Sequence, residues 1–187
     1  MVFSSLQFVL IFMPVFFGCY YIAPEKYRNI ILLIGSMTFY FIGTLNAPYH
    51  FVLFIISILV DFTVGLFIEK YPKHKKLFLV CGVIFHLISL CIFKYGNFII
   101  GEFGKISSGL ASFKEIILPI GISFYTFQGM SYIADVYGGK IKAEKNLLNF
   151  AVYISMFAQL IAGPIVTYRE ISDRLEKRRI TRRMAFK

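Results

Sequence analysis

Charged residues fall in clusters separated by long uncharged stretches. Residues 1–24, 29–60, 77–93, 116–134 and 146–168 contain no Asp, Glu, Lys or Arg. A helix needs about 20 mostly apolar residues to cross a bilayer, so each stretch is a candidate span. The 29–60 stretch is too long for one span, and Gly43, Asn46 and Pro48 are turn formers inside it. It divides into 29–42 and 49–67. With 6–23 before and 77–93 after, the first half predicts four membrane helices. Apolar residues surround each segment, as lipid-facing helices require, and no segment alternates with the period of two that a β-barrel needs. The predicted class is all-α: a polytopic transmembrane helical protein of about five or six membrane segments, one of them a candidate re-entrant segment.

Loop charges orient these helices. The loop after the first span carries Lys26 and Arg28, the next carries no charge, and the one after the third carries Lys70, Lys73, Lys75 and Lys76. Basic residues favour the cytoplasmic side, so the amino terminus is expected outside. MVFSS has no basic leader region, so the first helix does not read as a cleavable signal. Residues 95–115 are mixed in character and predict a surface helix. The segment 116–137 enters the membrane again and leads to Lys140, Lys142 and Lys145. A further crossing by 147–168 would put the tail outside, yet 169–187 carries eight Lys or Arg against three acids. A segment that dips in and returns on the same side removes this conflict, with Gly163–Pro164 as the expected turn, tolerated only when buried in protein. Two regions follow: a membrane-embedded 1–168, and a basic cytoplasmic helix over 169–187. Glu170/Arg174 and Asp173/Lys177 support that helix through i,i+4 pairing. It rests on anionic headgroups or approaches an anionic donor.

Composition agrees with the pattern. Of 187 residues, 58% are hydrophobic and 16% charged, against roughly 45–50% and about 25% in average soluble domains. Disorder is excluded by the apolar content, and a disulfide scaffold by the presence of three cysteines in a chain this long. The net charge of +10 is half tail. Nucleic-acid binding has no support beyond that charge.

Polar side chains inside membrane segments are costly and therefore candidates for function. Asp61 lies in the third span and reads equally as a group buried between helices, paired with a Tyr, Ser or Lys; His86 lies in the fourth and reads more as a helix-to-helix hydrogen bond than as a catalyst. His50 and His74 suggest no role. Cys19, Cys81 and Cys91 read as small buried hydrophobes. No nucleophile elbow, phosphate loop or metal-ligand spacing occurs. The richest stretch is LPIGISFYTFQGMSYIADVYGG at 118–139. On a helix its Gln128, Ser131, Tyr132 and Asp135 share one face. That face turns toward a wet cavity or forms a hydrogen-bond ladder between helices. Gln159, in FAQLIAGPI, is the remaining candidate.

These motifs carry a resemblance. MVFSS, KYRNIILLIGSMTFY (26–40), FKYGNF (93–98), LPIGISFYTFQ (118–128), YIADVYGG (132–139) and QLIAGPI (159–165) occur in order. Together they resemble the amino-terminal part of a membrane-bound O-acyltransferase of the alginate O-acetyltransferase type, over essentially the whole chain. The resemblance implies a multi-pass cell-membrane enzyme with a funnel through the bilayer. Its donor is a cytoplasmic acyl thioester, acetyl-CoA or an acyl carrier, with no bound cofactor or metal. Its acceptor is an exopolysaccharide such as alginate, or an extracytoplasmic acetyltransferase partner. The catalytic His it implies lies downstream of AGPI, so no catalytic residue is assigned. The chain is then expected to be an incomplete enzyme, inactive alone. Ala158 departs from the pattern, where relatives usually carry Pro. A transporter or channel, and a non-catalytic membrane scaffold, are the alternatives.

Overall fold

The computed structural model describes residues 6, 8–104, 116–160 and 166–176. Within these, every regular element is helical. A π-turn over Phe8–Phe12 leads into α1 (Met13–Ile22), followed by α2 (Arg28–Gly43), α3 (Tyr49–Lys70) and α4 (Lys75–Gly104). After the second gap come α5 (Ile122–Tyr137), α6 (Leu147–Ser155), the short α7 (Phe157–Leu160) and α8 (Tyr168–Glu176). The turn formers act where expected: α2 stops at Gly43 and α3 starts immediately after Pro48. Among the described residues two helices are long and apolar enough to cross a membrane, Tyr49–Lys70 and Pro72–Phe98. Phe8–Ile22 is apolar but shorter. The expected surface helix over 95–115 is not separate through 104, because α4 runs on unbroken to Gly104. The rest of that stretch lies outside the described residues.

Helix α3 is central, with α4 and α5 packed along it. Helix α2 packs on α6, and α1 lies outermost against α2. The main core runs from Tyr40, Phe54 and Tyr125 near one end to Tyr132, Phe150 and Tyr153 near the other. Tyr40 stacks on Phe54 with centroids 4.2 Å apart, and Phe54 meets Tyr125 edge-on at 5.1 Å. A separate cluster of Phe8, Phe16, Phe39 and Phe157 fastens the first helices to α7. Such aromatic pairs add about 0.5–1.5 kcal/mol each beyond the area they bury. The cysteines correct the sequence reading: Cys19, Cys81 and Cys91 are all exposed, on the apolar outer surface.

The two ends of the bundle are tied differently. At one end Asn97 clasps the chain as it returns toward α5, its amide donating to the Ile116 carbonyl at 2.7 Å and accepting from the Ile116 N–H at 2.8 Å. At the other end, which carries the lysine-rich loops, Asn29 donates to Asn149 at 2.9 Å. There the Ala143 N–H also donates to Glu69 Oε2 at 2.6 Å. The start of α2, the end of α3 and the start of α6 therefore share this lysine end.

Candidate functional site

The segment 147–168 does not form one helix. Helix α6 begins at this lysine end, capped by the Asn146 side chain, which accepts from the Leu148 N–H at 2.9 Å. It stops after nine residues, where Met156 adopts φ −51° and ψ 110°. At 1.5 Å per residue it reaches about 13 Å, near half of a hydrocarbon core of about 30 Å. The chain then comes back. Tyr168 donates to the Glu144 carboxylate, two residues before the α6 cap, and Tyr153 donates to the Val166 carbonyl at 3.1 Å. The segment thus starts and ends at the same end of the bundle. The break comes earlier than expected, at Ser155–Met156; Gly163–Pro164 lies outside the described residues.

A broken helix leaves carbonyls without partners, which an apolar interior penalises. Gln128 of α5 meets one of them: its Nε2 donates to the Tyr153 carbonyl at 2.9 Å. The Phe157 N–H, just past the break, donates to Ser36 Oγ of α2 at 3.4 Å. The Gln159 N–H turns back on the Met156 carbonyl at 2.9 Å. The break is therefore a built feature, held by side chains from two other helices.

Level with it lies a second polar group. His86 Nε2 of α4 is 2.6 Å from Asp61 Oδ1 of α3, with both side chains essentially inaccessible. Counting back from the lysine end, Asp61, Gln128 and Ser36 each sit about 12–14 Å along their helices and His86 about 16 Å. They make one polar layer at mid-depth. The two ionisable side chains face each other inside the bundle and not the outer surface, which is how such groups persist in apolar surroundings. Gly129 makes the pair possible. A Cβ there would lie 2.0 Å from Asp61 Oδ2, so α5 can approach α3 only without a side chain at this position. Gly65 has the matching role a turn further along α3, since its Cβ would meet the Tyr132 ring at 2.7 Å.

The layer has spare capacity. Asp61 Oδ2, His86 Nδ1, Thr126 Oγ1, Ser155 Oγ and Gln159 Oε1 make no hydrogen bond among the described residues. All five atoms are enclosed by protein. No cluster of three His, Cys, Asp or Glu able to hold a metal occurs among the described residues.

The predicted polar stripe on α5 is one helical face but not one site. Gln128 goes to the helix break. Tyr132 is buried, its hydroxyl accepting from the Glu144 N–H at 2.9 Å, and its ring is 4.6 Å from Phe150. Asp135 reaches the lysine end and accepts from Lys140 at 3.0 Å. Ser131 is half-buried between them. Sequence reasoning singled out Asp61 and His86 separately and missed their pairing. It noted Thr126 only as one of many hydroxyls in the 118–139 stretch and missed Ser36 and Ser155 altogether; small hydroxyls in apolar runs give little signal.

Comparison with known proteins gives a consistent set of relatives. The chain is 40% identical over 186 residues to the alginate O-acetylase AlgI of Pseudomonas aeruginosa, covering 95% of this chain and 35% of that protein. It is 38% identical over 191 residues to AlgI of Azotobacter vinelandii, covering 95% and 36%. A peptidoglycan O-acetyltransferase of Helicobacter pylori is 28% identical over 202 residues, covering 91% and 38%. The chain thus spans about a third of the length of these relatives. No protein-family profile matches it, and no solved structure does.

Proposed function

We propose that this chain forms part of a membrane-embedded O-acetyltransferase that moves an acetyl group from a cytoplasmic thioester donor toward an extracytoplasmic acceptor. The single observation that carries this reading is the similarity to alginate O-acetylases along 95% of the chain. The mid-depth polar layer is consistent with it. A path for an acetyl group needs carbonyl and hydroxyl partners inside the apolar bundle, and Thr126, Ser155 and Gln159 are positioned to offer them. Helices α3 and α4 cross the bilayer in this reading, the lysine end is cytoplasmic, and α6–α7 is a re-entrant arm. The acceptor is a polysaccharide such as alginate, or a partner that completes the transfer.

Transfer to a hydroxyl needs a general base within reach of the acceptor proton. Neither buried histidine of the described residues suits this: His86 is enclosed against Asp61 and His50 is buried at the opposite end. The 187-residue chain reconstituted alone is therefore expected to transfer no acetyl group above background. The decisive experiment follows labelled acetate in cells. Loss of label from an external polysaccharide on deleting the coding region supports the reading. Unchanged acetylation with altered solute flux would favour transport, which also uses broken helices at mid-depth.

A further inference from the structure

The lysine end is more ordered than a row of loop charges. Lys73, Lys75 and Lys76 follow α3, while Lys140, Lys142 and Lys145 lie between α5 and α6, all of them exposed. The two groups form one surface. Glu69 holds the Ala143 N–H at 2.6 Å, and Lys75 Nζ lies 4.8 Å from the Tyr137 ring centroid. The neighbouring acids are spent internally. Glu69 faces Ala143, Asp135 pairs with Lys140, and the Glu144 carboxylate accepts from the Asn146 N–H and from Tyr168. The first turn of α4 contains no acid, although it opens with Lys75 and Lys76 at the helix end where basic residues are disfavoured. Asp135 offsets Lys140, whereas among the described residues Lys73, Lys75, Lys76, Lys142 and Lys145 have no ion-pair partner.

We propose that this lysine surface binds the phosphates of anionic phospholipid headgroups. The inference rests on the reading of α3 and α4 as spans. Helix α3, 22 residues long, extends about 33 Å, against a hydrocarbon core of about 30 Å. The lysines that follow it therefore stand at headgroup depth, which favours lipid phosphate over a soluble anion. Each basic residue near such a surface strengthens attachment about fivefold at low salt.

The test uses the full chain in nanodiscs of phosphatidylcholine with or without phosphatidylglycerol, with retained lipid identified by native mass spectrometry. The protein is expected to retain phosphatidylglycerol over phosphatidylcholine. Lys73→Gln/Lys75→Gln/Lys142→Gln/Lys145→Gln is expected to lower that retention at least tenfold. Lys94→Gln, away from this surface, is expected to leave it unchanged. Equal retention of the two lipids, or full retention by the quadruple variant, would overturn the proposal. So would displacement of the lipid by millimolar inorganic phosphate, which would assign the surface to a soluble anion. Thermal melting of each variant confirms that it is folded. Alkaline carbonate extraction separates the premises: release from membranes refutes the spans, whereas firm attachment without lipid preference refutes the lipid site alone.

Discussion

Helices α3 and α6 both lie against α5, and they treat the apolar interior in opposite ways. Helix α3 runs 22 residues without a break, so its backbone is satisfied internally and at mid-depth its demand comes from a side chain, Asp61. His86 meets one oxygen of that carboxylate, and the bare backbone of Gly129 leaves room for the other. Helix α6 stops after nine residues, and its demands come from the backbone. They are met by Gln128 and Ser36, reaching across from α5 and α2. The first arrangement is a compact lock. Both keep unpartnered polar atoms, Asp61 Oδ2 and His86 Nδ1 in the first and Ser155 Oγ and Gln159 Oε1 in the second, but only the second has an interrupted backbone beside them.

This contrast can be broken from the lock side most severely. Gly129→Ala should push Asp61 away from His86 and overpack the contact, losing on the order of 5 kcal/mol, read as failure to hold a monodisperse folded state in detergent. His86→Leu should cost about 3–5 kcal/mol by leaving Asp61 unpaired. Adding Asp61→Leu to it should recover much of that loss, and a melting series on the single and double variants checks this. On the arm side, Gln128→Leu should cost about 1–2 kcal/mol. Faster hydrogen exchange should then appear in 147–160 while α3 and α4 keep their protection; exchange that rises equally in all of them would remove the distinction. Smallest is Tyr168→Phe, about 0.6 kcal/mol. It should loosen the return of the chain at Glu144, seen as proteolytic nicking near residue 168 and unchanged melting of the bundle.

The sequence made some of this legible and hid the rest for physical reasons. Uncharged stretches located α1 to α4, because charge avoids the apolar interior regardless of partners. The turn at Gly43 to Pro48 was readable from backbone preferences alone. The Asp61–His86 pair was not, since its members lie 25 residues apart on different helices and spacing carries no information across helices. The break at Ser155–Met156 was hidden too. Neither residue is a helix breaker, and the groups that meet the break, Gln128, Ser36 and the Phe8, Phe16 and Phe39 cluster around Phe157, are all distant in sequence. The α5 stripe was correctly placed on one face, but Gln128 to Asp135 covers about 10 Å along the axis. Over that rise the surroundings change from helix break to lysine loop, so one face meets three different neighbours.

Asn97 has a consequence of a practical kind. By giving and taking one hydrogen bond each with the backbone of Ile116, it acts as a staple at the point from which the chain runs into α5. Amide exchange over 116–121 is therefore a direct gauge of that tie, and Asn97→Ala should speed it while α3 keeps its protection.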